Sequence, residues 1–337
     1  MKRIRIIIIT ICILLGLAVG FGIGTINQRV AVTDTVRIYI PSEASYQTLI
    51  DTLDAHHCLH AHAAFNTLAR LRGLPHSIKA GSYNITPNMR IVSLVQKLYT
   101  GSQDPVRITI NKHRTLDGLC QFFGTKLQFD ADSLLILLTD TAFCSQYGFT
   151  PQTIIGLFPQ NTYELYWTTT PTGVVERMNT ESKRFWHERE NLLSTIGLTR
   201  NQVLTIASIV EEETNCNEEK PDIASVYLNR YRIGMPLQAD PTVKYAVGDF
   251  TIRRIKGDML KTDSPYNTYL HAGLPPGPIC IPSAASIDAV LKNKKTNYLY
   301  FCAKEDFSGR HNFAATSEEH IANARKFHKA LNDRNIH

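Results

Sequence analysis

Three consecutive glutamates, Glu211, Glu212 and Glu213, end a stretch in which the residue types and their spacing could do chemistry. The run 203–214 has no glycine or proline, and Thr199-Arg-Asn-Gln202 ahead of it has the spacing of a capping box. At 100° per residue, Val203, Leu204, Ile206, Ala207 and Val210 form one apolar face. Glu212 falls opposite that face, beside Thr205 and Ser208, and is expected in solvent. Glu213 falls next to Ile206 and within a turn of Ile209 and Val210, whereas Glu211 flanks Leu204 and Ala207. Desolvation at such a margin raises a carboxyl pKa, and the negative end of the helix dipole disfavours ionisation further. A carboxyl kept protonated near neutral pH can serve as a general acid, which cleavage of a glycosidic bond requires. The plainer alternative is a solvated acidic helix surface, and this stretch alone does not exclude it.

The elements that must hold these acids belong to a chain of 337 residues, 43% hydrophobic and 20% charged, with 19 Gly and 15 Pro. Those values exclude wholesale disorder, a collagen-like repeat and a multi-span membrane protein. The formal charge is +6, but Lys2, Arg3, Arg5 and Arg29 carry four of those charges with no acid before residue 30. So small a surplus in the remainder argues against nucleic acid as a partner.

Residues 6–26 are uncharged and apolar, with three cations before them and Arg29 after. As a helix at 1.5 Å per residue, such a run crosses the ~30 Å hydrocarbon core. The expectation is a tip and single transmembrane anchor over 1–29, its N-terminus cytoplasmic and the rest outside. The competing signal peptide lacks an A-x-A-like cleavage site, and the run is long for one. Six cysteines follow the anchor, Cys58, Cys120, Cys144, Cys216, Cys280 and Cys302. An even number outside the cytoplasm permits disulfides, but their scatter favours free thiols.

Beyond the anchor, alternation predicts a strand over 36–40, halted by Pro41, and a second over 79–85. Apolar spacing predicts helices over 46–55, 62–71 and 89–98. This small α+β unit is expected over 36–104, with a boundary near Pro105 and a larger mixed α+β domain over 105–337. His56, His57, Cys58, His60 and His62 are metal-ligand types, but crowded neighbours point apart and no second pair follows at zinc-finger spacing. A solvated loop or helix end is the better reading.

Longer motifs then carry a resemblance. Ala-Ser-Ile-Val-Glu-Glu-Glu-Thr (207–214) is followed by Ala-Ser-Val-Tyr-Leu-Asn-Arg (224–230), Ile-Gly-Met-Pro-Leu-Gln-Ala-Asp-Pro-Thr-Val-Lys-Tyr-Ala (233–246), Ser-Pro-Tyr-Asn-Thr-Tyr (264–269) and Gly-Leu-Pro-Pro-Gly-Pro-Ile (273–279). In order and spacing these resemble the endolytic murein transglycosylase (MltG or YceG-like) family of bacteria. The resemblance extends to Tyr298-Leu-Tyr-Phe301, Gly309-Arg-His-Asn-Phe313 and Ala80-Gly-Ser-Tyr83. It implies a LysM-like subdomain at 36–104 and a lytic transglycosylase, a lyase, acting on peptidoglycan glycan strands outside the inner membrane. Synthase complexes are implied as partners, and no metal or cofactor is needed.

By that resemblance the catalytic acid is Glu213, and Glu211 supports the site or forms a structural ion pair. Asn229, Gln238, Asp240, Tyr245, Tyr266 and Asn267 match positions that look like a groove lining, although turn or core roles suit each of them as well. Gly273-Leu-Pro-Pro-Gly277 reads as a rigid loop. The family's usual Leu-Phe-Pro-Asp-Thr-Tyr appears as Leu157-Phe-Pro-Gln-Asn-Thr-Tyr163, so Gln160 or Asn161 replaces a carboxylate. Two other functions stay open. One is a muramidase pairing Glu213 with Asp240 or Asp263, and the other is a non-catalytic glycan-binding scaffold.

Overall fold

The computed structural model describes residues 28–60, 62–252 and 254–334, with residues 9, 10, 12, 13 and 24 ahead of them. The apolar run 6–26 lies mainly outside the described residues. No helix among the described residues is long and apolar enough to cross a membrane. The chain divides into two compact units. One comprises Met1–Ile108, Lys126–Phe129 and Glu164–Thr170, and the other Thr109–Thr125, Asp130–Tyr163 and Pro171–His337.

The first unit is built on β1 (Val36–Ile40), α1 (Tyr46–Ala55), α2 (His62–Leu71), β2 (Gly81–Ile85) and α3 (Ile91–Thr100). β1 and β2 pair antiparallel, Val36 opposite Ile85 and Ile40 opposite Gly81. Ile38 and Ile40 are fully buried with Leu49, Leu53, Phe65 and Leu94, so the alternation in β1 and the helical spacing serve one core. The third helix starts two residues later than its apolar spacing suggests. Asn88 is left-handed at φ 64° and Arg90 is an extended N-cap, so helical geometry begins only at Ile91. In the histidine-rich segment Cys58 is buried and His62 pairs with Asp54 at 3.3 Å. No group of three metal-ligating side chains occurs among the described residues.

The chain passes between units within β3 (Val106–Ile110) and β4 (Asn161–Leu165), which pair with each other. Between those strands lie α4 (Leu116–Gly124), α5 (Ala131–Thr139) and α6 (Thr141–Ser145). After β4 come α7 (Pro171–His187), α8 (Glu190–Ile196), α9 (Arg200–Glu213), α10 (Lys220–Arg232), α11 (Asp240–Val247) and α12 (Ala284–Lys292). The antiparallel pair β5 (Tyr300–Ala303) and β6 (His311–Ala314) and the long α13 (Ser317–Asp333) complete the chain.

At the centre of the second unit is α9, the acid-bearing helix. Thr199 and Gln202 form the capping box that their spacing predicts. The expected two-faced helix is corrected here, because all eight residues from Val203 to Val210 are buried. Thr205 and Ser208, expected beside solvent, are 3% and 0% exposed. Their hydroxyls are satisfied internally: Thr205 Oγ1 donates to the Asn201 carbonyl, and Ser208 Oγ donates to that of Thr205 while accepting from Ile279 N. Segment 279–281 covers the face that a helical wheel leaves empty. Ile223, Tyr227 and Leu228 of α10, Ile287 and Val290 of α12, and Trp186 of α7 share this core.

The loop over 273–277 is tightly built. A Cβ added to Gly277 would meet the Gln152 carbonyl oxygen at 2.1 Å, so glycine is required there. Cys58, Cys120, Cys144 and Cys280 are buried free thiols, and Cys216 and Cys302 are partly buried ones.

Candidate active site

The central helix delivers its three acids to three different environments. Glu213, its last residue, lines a cavity of about 280 Å³. The Tyr227 hydroxyl, from the facing α10, donates to Glu213 Oε1 at 2.6 Å. This leaves Oε2 as the oxygen free to carry a proton. Burial pushes the Glu213 carboxyl up to about 7. The Tyr227 hydrogen bond and Lys244 oppose that rise, while the charges of Asp240 and Glu212 add to it. The group is thus poised near neutrality, where a proton donor and acceptor works best.

Tyr227 is itself 2% exposed and held edge-on by Phe301, with ring centroids 6.0 Å apart. Burial and the neighbouring Glu213 hold its hydroxyl well above the usual phenol range, so it stays a hydrogen-bond donor. On the same α10, buried Arg230 also borders the cavity. Its Nε donates to the Leu299 carbonyl at 2.6 Å and its Nη1 to that of Leu237 at 2.8 Å, which pins the wall of the cleft. His320 also lines the cavity, stacked on Tyr300 at 5.3 Å.

Asp240, in the first turn of α11, is the second carboxylate of the cavity. Its Oδ1 accepts the Tyr269 hydroxyl at 2.7 Å. Gln238 lines the same wall with a left-handed backbone, φ 49°, a strained conformation for a residue with a Cβ.

Glu211 turns the other way. Its Oε2 accepts from Lys220 Nζ at 2.9 Å and from the hydroxyls of Ser283 and Ser286, each at 2.5 Å. Burial alone would raise this carboxyl, but those three donors and the Lys220 charge outweigh it and hold it below the usual range. Lys220 opens α10 and Ser283 caps α12, so one ionised acid ties the ends of three helices together. Glu212, expected in solvent, is instead clamped by Arg114 with two bonds of 2.9 Å and by Lys112 at 3.3 Å. Its side chain is only 12% exposed. A wheel drawn on one helix could not show these cations, which arrive from sequence about a hundred residues away.

The remaining expected lining residues separate into two groups. Gln238 and Asp240 border the cavity with Glu213, whereas Asn229, Tyr245, Tyr266 and Asn267 do not. Asn229 donates to the carbonyls of Thr296 and Tyr298, and buried Asn267 to those of Leu260 and Thr262, so both amides fix loops. Tyr245 and Tyr266 pack on each other with centroids 4.6 Å apart. Asp263 is exposed and away from the cavity.

Gln160 donates to the Ile281 carbonyl at 2.7 Å, and Asn161 accepts from Thr162 N. The altered motif therefore braces the segment leading to Ser283 and does not line the cleft. Sequence reasoning missed Tyr227, Arg230, Tyr269 and His320. The first three sit inside the quoted motifs, but only the packing of α10 and the 264–269 turn against Glu213 singles them out.

One acid poised near neutrality, braced by a phenol and sharing its cavity with a second carboxylate, is an arrangement that can do acid–base chemistry. The chain belongs to the YceG-like family, whose model matches residues 38–326. A Bacillus subtilis relative named endolytic murein transglycosylase is 29% identical over 316 residues, which cover 89% of this chain and 87% of that protein. A Streptococcus pneumoniae D39 protein of the same name is 30% identical, and the match covers 86% of this chain but 57% of that longer protein. The crystal structure of a yceG-like protein from Listeria monocytogenes is 27% identical. It superposes with a TM-score of 0.59, covering 86% of this chain and 99% of the other.

Proposed function

We propose that this protein is a lytic transglycosylase, a lyase that cuts the β-1,4 bond between MurNAc and GlcNAc within peptidoglycan strands and leaves 1,6-anhydroMurNAc ends. The observation that carries the reading is Glu213, a carboxyl raised to about 7 in a cleft and hydrogen-bonded by Tyr227. The names of the relatives support the same class.

Glu213 Oε2 delivers its proton to the glycosidic oxygen as the C1–O bond breaks, and the GlcNAc alcohol leaves. The oxocarbenium-like MurNAc left behind carries positive charge that the Asp240 carboxylate, held by Tyr269, stabilises. Glu213, now ionised and still bonded by Tyr227, takes the proton of the MurNAc C6 hydroxyl as that oxygen closes on C1. The acid is thereby restored. Because the nucleophile is tethered to the reacting ring, no water has to be activated. The apolar run 6–26 would hold the cleft close to the outer face of the inner membrane, where nascent strands and their synthases are found. The 36–104 unit would serve as a LysM-like glycan-binding subdomain.

A second reading has one observation in its favour, since Asp240 shares the cavity and could activate water, as a muramidase requires. Mass spectrometry of digested glycan separates the two. Anhydro ends, lighter than reducing ends by one water, support the transglycosylase; reducing ends would replace it with the hydrolase.

Tyr227→Phe removes a hydrogen bond that favours ionised Glu213, so the alkaline limb of the cleavage pH profile moves up by about one pH unit. A limb that stays put or moves down would show that Tyr227 does not set this acid. With a folded pKa of about 7 against an ordinary glutamate value of 4.5, Glu213 binds its proton more tightly in the native state. Its ionisation therefore opposes folding progressively between those values and fully above 7. Glu213→Gln should match the wild type in urea unfolding at pH 4 and exceed it by up to about 3 kcal/mol at pH 8.

A further inference from the structure

A second cavity, of about 310 Å³, lies in the same unit at the other end of the central helix. Lys183 and Trp186 of α7 face it together with Arg200, the first residue of α9, and Phe149 and Leu157 close its apolar side. Neither cation has a carboxylate partner among the described residues. Arg200 lies 5.8 Å over the Trp186 ring, and the nearby Glu181 is already held by Arg177 and Arg184. No acid lines the space.

Several of its polar groups are equally unused. Ser182 is 5% exposed and borders the cavity, and its hydroxyl makes no hydrogen bond among the described residues. The side-chain amides of Asn179 and Asn201 have no partner there either. The capping box satisfies the N–H groups of Thr199 and Gln202, which leaves those of Arg200 and Asn201 as the open donors of the helix start.

We propose that this cavity binds a short peptide through a free carboxylate. Lys183, Arg200 and the helix start supply positive charge and donors for the anion. An inorganic phosphate would need donors alone, whereas the two amides can both donate to and accept from peptide groups, and Trp186, Phe149 and Leu157 suit small apolar side chains. Arg200 and Glu213 are thirteen residues apart on one helix, about 20 Å at 1.5 Å per residue. An extended peptide covers at most about 3.5 Å per residue, so a dipeptide here does not reach the cleft. The site is independent of the reaction proposed at Glu213.

Trp167 and Trp186 are the two tryptophans of the chain, so Trp167→Phe makes Trp186 a sole reporter. The full chain carrying that change, in detergent micelles, is titrated with acetyl-alanyl-alanine, with its C-terminal amide and with inorganic phosphate. The proposal expects a saturable fluorescence change with the dipeptide and at least tenfold weaker binding of the amide. Arg200→Gln should weaken the dipeptide at least tenfold and Lys183→Gln several-fold, with glycan cleavage unchanged. Both side chains are exposed, so either variant tests the point if the other misfolds. Glu213→Gln should retain dipeptide binding whatever it does to cleavage. No saturable signal, equal binding of the amide, tighter binding of phosphate, or unchanged affinity in both cation variants would overturn the assignment.

Discussion

Glu213→Gln is expected to lower the rate of strand cleavage by about 10²–10⁴-fold, the range that a positioned general acid contributes. The substitution keeps size and shape, and the amide oxygen can still accept the Tyr227 hydroxyl that Glu213 Oε1 accepts at 2.6 Å. What it removes is the proton on the other oxygen, which in the proposed mechanism goes first to the leaving alcohol and is then returned by the C6 hydroxyl. Both halves of the proposed reaction should fail together, so raising substrate concentration should not rescue turnover. Asp240→Asn should cost less activity and act differently. The Asp240 charge raises the Glu213 pKa, so its loss moves the alkaline limb of the pH profile downward. A Glu213→Gln variant cleaving at more than a tenth of the wild-type rate would remove Glu213 from the chemistry.

The largest effect on stability is expected at the neighbouring acid. Lys220→Met should destabilise the second unit by about 3–5 kcal/mol, because it leaves the Glu211 charge buried without its counter-ion. The two side chains are 5% and 13% exposed and 2.9 Å apart, so solvent compensates little. For a unit of this size the loss lowers the melting temperature by roughly 10 °C. Ser283 and Ser286 still donate to Glu211 but supply no charge.

The pH dependence has a defined sign. Glu211 is held below its ordinary value in the fold, so it contributes stability above its unfolded pKa and loses it as pH falls through the folded one. In Lys220→Met that acid-side decline should shrink, and Glu211→Gln in the same background should recover part of the loss. Scanning calorimetry from pH 3 to pH 8 measures both. An unchanged melting temperature would mean that the pair does not hold the helix ends.

The contrast between these neighbouring glutamates shows which parts of the site were legible in the sequence. The capping box at Thr199, the run without breakers and the strand–helix–helix–strand order of the first unit follow from local spacing, and the fold realises them. Glu213 stood out because helix geometry and the motif Val-Glu-Glu-Glu-Thr pointed to the same residue. A wheel treats one helix as lying on a single core, however, and α9 is covered on every side. The fate of Glu212 therefore depended on Lys112 and Arg114, and that of Glu211 on Lys220 and two serines, which only tertiary packing brings near. Asn229 and Asn267 have the right chemistry for sugar recognition, yet backbone carbonyls of nearby loops take their amides first. Tyr227 carries no sequence signal of its own beyond its motif, because its role comes from the facing of α9 and α10.

The most direct test of the account is the ionisation of this one side chain. With the protein labelled at glutamate carboxyl carbons, the resonance absent from Glu213→Gln identifies residue 213, and its chemical shift is followed from pH 3 to pH 9. A midpoint near 7 is predicted, moving upward in Tyr227→Phe and downward in Asp240→Asn. A midpoint near 4.5, insensitive to both substitutions, would mean that Glu213 is an ordinary hydrated carboxylate at neutral pH and has no proton to give.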